Sequence, residues 1–79
     1  MQKFEIELKE FNWLIQVVSR HHAKWIAGRA GLSAHTRKSI IYFRDTAGAE
    51  VHLSQVHAIL SQDAQSQRQL YNLWMSYAR

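Results

Sequence analysis

Seventy-nine residues, 47% of them apolar and 20% charged, suffice for one packed domain with a modest core and leave little room for a deep catalytic cleft. Cysteine is absent, which excludes disulfides and thiolate zinc sites, and no apolar run approaches the ~18 residues of a membrane span. The net charge of +4 is unevenly spread: no acid lies between Glu10 and Asp45, and that stretch carries Arg20, Lys24, Arg29, Arg37, Lys38 and Arg44. Such segregation points to an anionic partner on one face. The N-terminal "MQKFEIELKE" is charged and alternating, unlike a signal peptide, so the expectation is a cytoplasmic, single small basic domain spanning residues 1–79, with no membrane partner.

In chain order, "FEIEL" sets Phe4, Ile6 and Leu8 on one side and Glu5 and Glu7 on the other, the period of a half-buried strand over residues 3–8. The period then changes. Phe11, Leu14, Ile15, Val18, His22 and Trp25 follow the stripe of an amphipathic helix, predicting one long helix from about Glu10 to about Ala27 or Ala30. Gly28 and Gly31 punctuate its end, where a glycine commonly supplies a left-handed cap. Trp25 sits on the apolar stripe and reads as core rather than as a stacking face for a base, and His22 reads as half-buried.

Ile40, Ile41, Tyr42 and Phe43 form a β-branched and aromatic run. Asp45-Thr46-Ala47-Gly48 has turn chemistry, and Val51 and Leu53 alternate with polar residues on the return, which predicts a hairpin. Ser54 suits a helix N-cap. Val56, Ile59 and Leu60 then share a side, and a polar tract separates them from Leu70, Leu73, Trp74 and Tyr77. That tract either crosses solvent within one helix or separates two. The predicted class is α+β: a three-stranded antiparallel sheet (N-terminal strand plus central hairpin) packed with a long first helix and one or two C-terminal helices.

"IAGRAGLS" resembles the helix-turn-helix of bacterial regulators, with Ile26 and Ala27 in a first helix, Gly31 at the turn and Leu32 after it. That family places an apolar anchor five positions after Leu32, where this chain has Arg37, and the following "SIIYF" favours a strand. Gly28-Arg29-Ala30-Gly31 resembles the GxxG loop of KH domains, whose backbone approaches phosphates. The helix after that loop is apolar in the family, and Ala34 and Arg37 supply little. Neither resemblance extends far enough to assign a family.

The function that charge and composition favour is a small nucleic-acid-binding regulatory protein. Arg20, Lys24, Arg29, Arg37 and Lys38 would contact phosphates, with His35 assisting at lower pH; nothing is assignable to base readout, and DNA and RNA are not distinguished. The alternative is a small phage- or plasmid-type inhibitor that binds a larger protein complex with an acidic surface. It would use Tyr71, Trp74 and Met75 of an aromatic C-terminal helix together with the basic face, and that helix could instead pair in a homodimer. No enzyme is expected: an RNA-cleaving site around His35 or His52 would want a carboxylate or second histidine beside it, and the spacing supplies none. The histidines show no metal-ligand spacing, so neither metal nor cofactor is expected.

Overall fold

The computed structural model describes residues 5–79. Four helices and three strands follow in the order α1 (Leu8–Val17), α2 (Arg20–Arg29), β1 (Ser33–Arg37), β2 (Ile40–Arg44), β3 (Glu50–Val51), α3 (Leu53–Ser61) and α4 (Ala64–Tyr77). The sheet is antiparallel throughout with order β1-β2-β3, so the class is α+β with a three-stranded antiparallel sheet. The radius of gyration is 11.9 Å, that of a compact chain of this length.

The first strand of the sheet is not N-terminal. Residues 3 and 4 of the expected strand lie outside the described residues. Glu5 to Glu7 are unpaired with the sheet, and Leu8 already opens α1. Two contacts set this arrangement. The Glu7 N–H donates to Glu10 Oε1 (2.8 Å), satisfying one backbone donor at the helix start. The Ile6 carbonyl accepts from His57 Nε2 (2.8 Å), so this backbone is held by a side chain of α3.

The long first helix is two helices. Val18 and Ser19 both adopt extended backbone (ψ 154° and 163°), and Ser19 caps α2 by accepting from the His22 N–H (3.2 Å). The break resets the phase of the apolar stripe. Phe11, Leu14, Ile15 and Val18 are buried as the periodicity demands and His22 is half-buried as expected, but α2 buries Ala23, Ile26 and Ala27 rather than Trp25, which is only half-buried. Gly31 (φ 73°) ends α2 in a left-handed cap, and the Leu32 N–H reaches back to the Ala27 carbonyl (2.8 Å). Gly28 is helical and Ser33–Arg37 is a strand, so this segment is neither a GxxG loop nor a recognition helix.

β1 pairs with β2 through a two-residue turn at Lys38 and Ser39, both at positive φ (51° and 68°). Turns of that hand match strand twist but normally carry Asn or Gly. β2 and β3 form the expected hairpin: Asp45 Oδ1 accepts from the Ala47 and Ala49 N–H groups (2.9 Å each), and Gly48 takes φ 85°. β3 is shorter than the alternation implies. His52, not Ser54, caps α3, its Nδ1 accepting from the Ser54 N–H (3.2 Å), so Leu53 enters a helix. The polar tract resolves into two helices divided at Asp63, which caps α4 by accepting from the Gln65 N–H (3.3 Å).

Phe43, fully buried, is the sheet's anchor in a core shared by Phe11, Leu14, Ile26, Val56 and Leu70. Ala34, Ile41 and Val51 join it from the same side of the sheet. Since directly paired residues share a face, the opposite side carries Ser33, His35, Arg37, Ile40, Tyr42, Arg44 and Glu50. None of these is buried, so that face is open.

Candidate nucleic-acid interface

Alternation along β2 dictates the open face. Ile41 and Phe43 point inward, which turns Tyr42 and Arg44 outward beside His35 and Arg37 of β1. The His35 and Tyr42 rings stack, with centroids 5.5 Å apart and planes 29° from parallel. Two guanidiniums attend the same phenol ring: that of Arg37 lies 4.5 Å from its centroid and that of Arg44 5.4 Å. Both distances fall within cation–π range, worth ~0.5–1 kcal/mol at exposed sites. Ser33 Oγ donates to the Arg44 carbonyl (3.4 Å) and lies 2.8 Å from His35 Nε2. The Ser33–His35 contact holds the imidazole beside Tyr42.

Glu50 is the one acid on this face. Its carboxylate lies 3.9 Å from Arg37 Nη1 with both side chains more than half exposed, a geometry worth little in water. The face therefore keeps a cationic excess around a flat aromatic centre, with Lys38 on the turn directly beyond Arg37.

The expected basic residues separate into three groups. His35 and Arg37 lie on the open face. Arg20 and Lys24 of α2 line a cleft of about 370 Å³ that they share with Ala34, His35 and Thr36 of β1 and Ile41 and Tyr42 of β2, so the cleft adjoins the open face at His35 and Tyr42. Arg29 belongs to neither: its Nη2 contacts Asp63 Oδ2 (2.5 Å) and its Nε donates to Ser66 Oγ (3.0 Å). The buried Ser66 hydroxyl donates in turn to Asp63 Oδ2 (2.6 Å). This clamp ties α2 to α4 and pairs the Arg29 guanidinium with a carboxylate. The Ser66 hydroxyl first holds the Asp63 carboxyl below its ordinary range; desolvation opposes it, and the Gln65 N–H and Arg29 add to the lowering.

Tyr42 and Arg44 are the residues that sequence reading passed over. Their signal was the alternation with Ile41 and Phe43, readable once one face of that strand is assigned to the core.

On α4, Tyr71 and Trp74 are half-buried and packed against the core, with ring centroids 6.1 Å apart, while Met75 is 41% exposed. The three do not form a free aromatic surface. Tyr77 from the same helix locks the α1–α2 junction, its hydroxyl accepting from the Ser19 N–H (3.2 Å) and lying 2.7 Å from His22 Nδ1. Among the described residues there is no group of three or more His, Asp or Glu able to hold a metal ion, and no helix is long and apolar enough to cross a membrane.

Comparison of the chain with protein-family models, curated proteins and solved structures finds no match.

Proposed function

We propose that this domain binds single-stranded nucleic acid on the open face of its sheet. The observation that carries the reading is the Tyr42 ring, half-exposed, stacked on His35 and attended by two guanidiniums on a face without buried residues. A flat ring on a sheet offers a stacking platform to an unpaired base, and every base has a π-face to present. The cations at Arg37, Lys38 and Arg44 then meet the flanking phosphates. Arg37, which rests on the ring in the free protein, is displaced by the incoming base and is already at the height of the backbone it must contact. Phosphate contacts position the strand without reading its sequence.

A duplex hides its base faces in the stack, so the platform discriminates between strand states. A regulator built this way acts by occupying single-stranded stretches as they open. Competition between a labelled single-stranded oligonucleotide and unlabelled duplex tests the reading. Single strand is expected to bind in preference to duplex of the same sequence, and equal affinity for the two would remove the stacking platform from the account. Tyr71 and Trp74 are half-buried against the core, which leaves an inhibitor acting through the last helix only part of each ring to present.

A further inference from the structure

Arg20 and Lys24 have no role on the open face. They are exposed, one helical turn apart on α2, and no acidic residue lines the cleft they border. Like charges at this spacing repel, so an anionic occupant would relieve them.

The opposite wall of the cleft is formed by β1, the edge strand of the sheet, with Ile41 and Tyr42 of β2. The two-residue turn makes Arg37–Ile40 a hydrogen-bonded pair, and pairing alternates from there. Ser33, His35 and Arg37 therefore direct their backbone groups to β2, while Ala34 and Thr36, which both also line the cleft, turn theirs outward along the free edge of the sheet. No described residue pairs with that edge. An exposed row of alternating donors and acceptors is a template for another strand.

We propose that this edge takes an extended acidic segment of a partner protein as a fourth strand, with the acidic side chains directed at Arg20 and Lys24. Three considerations select this occupant. A phosphate offers only acceptors and would leave the Ala34 and Thr36 carbonyls unanswered, whereas a strand answers both kinds of group. A second copy pairing through its own β1 would bring Arg20, Lys24 and Arg37 against their equivalents, a like-charge arrangement. The spacing also fits: residues i and i+4 of a helix are about 6 Å apart along its axis, and alternate residues of a strand recur about every 6.7 Å. A Glu-x-Glu segment thus meets both cations with side chains of one face.

The probe is a fluorescein-labelled peptide of about nine residues, the length of an ordinary strand, built on Thr and Val with one central Glu-x-Glu. Saturable binding is expected, weakened roughly tenfold by the double reversal Arg20→Glu/Lys24→Glu, with a Lys-x-Lys peptide not binding. In the wild-type complex the Ala34 and Thr36 amides are expected to gain protection from hydrogen exchange. Thr36→Pro, which removes one outward N–H while leaving the ladder to β2 whole, is expected to weaken the peptide. Arg44→Glu is expected to weaken oligonucleotide binding and leave the peptide unaffected, which separates this inference from the open-face reading. Absence of saturable binding, unchanged exchange at Ala34 and Thr36, or equal binding of the Lys-x-Lys peptide each overturns the proposal. So does protection of those two amides by self-association alone, which assigns the edge to a second copy, or loss of oligonucleotide rather than peptide in the double reversal, which assigns the cleft to nucleic acid.

Discussion

Replacing Tyr42 by Ala removes the platform while leaving the core intact, because Tyr42 projects from the face opposite the buried Phe43. The effect on stability is bounded by what the ring touches: a cross-strand partner in His35 and two guanidiniums. A cross-strand pair is worth about 0.2–1 kcal/mol and an exposed cation–π contact about 0.5–1 kcal/mol. The variant therefore loses about 1–3 kcal/mol of the roughly 4–12 kcal/mol expected for a chain of this length, and stays folded. The effect on binding is larger in proportion. One base stacked on one aromatic ring is worth about 1–3 kcal/mol, or roughly 5- to 150-fold in Kd. Tyr42→Phe keeps the ring and is expected to bind nearly as the native chain does. Fluorescence anisotropy with a labelled single-stranded oligonucleotide at low salt reads both variants, alongside a denaturant titration that reports how much of each is folded. Unchanged affinity in Tyr42→Ala, or equal weakening in Tyr42→Phe, would refute the stacking argument.

Three cations on the open face give a slope of log K against log[salt] of roughly −2 for a single strand, against the roughly −4 to −5 of five phosphate contacts on a duplex; anisotropy across a salt series distinguishes them. Asp63 is more acidic in the folded chain than in the unfolded one. Its contribution to stability is complete above the unfolded carboxyl value and is lost as pH falls through the lowered folded value. Asp63→Asn is expected to lower stability at neutral pH and to flatten the acid limb of a urea-midpoint profile taken down to about pH 2. Ser39→Gly relieves a positive φ of 68° at the β1–β2 turn, and a denaturant titration is expected to show a gain of up to about 1 kcal/mol, the relieved strain outweighing the added freedom of the unfolded chain.

What the sequence disclosed follows from where the information sits. The β2–β3 hairpin was legible because Asp45 and Gly48 carry local turn chemistry between two apolar runs. The cap at Gly31 was legible for the same reason. β1 was not, because Ser-Ala-His-Thr-Arg holds only one residue of strong strand preference. Its turn is made by Lys38 and Ser39, which take positive φ without the usual residues. Pairing with β2 imposes this strand from outside. The break at Val18–Ser19 was masked by a stripe that continues in register through His22 and Trp25; only the capping bond at Ser19 and the distant Tyr77 hydroxyl divide it.

For the functional residues the limit was distance along the chain. Segregated charge drew attention to the middle third of the sequence, but Arg29 is paired with a carboxylate 34 residues away, a pairing no local pattern records. The same folding sets Arg20 and Lys24 of α2 on a cleft and Arg37 on the open face, with His35 reaching both. One expected basic surface thus becomes an open aromatic face, a cleft and a structural clamp.

The central claim is that the open sheet face holds the nucleic acid. Backbone amide shifts followed while a short single-stranded oligonucleotide is titrated into the native chain test it most directly. The account predicts saturable changes clustered at Ser33, His35, Arg37, Tyr42 and Arg44, with α3 and α4 unmoved. Changes centred on Tyr71, Trp74 and Met75, or none at saturating oligonucleotide, would contradict it.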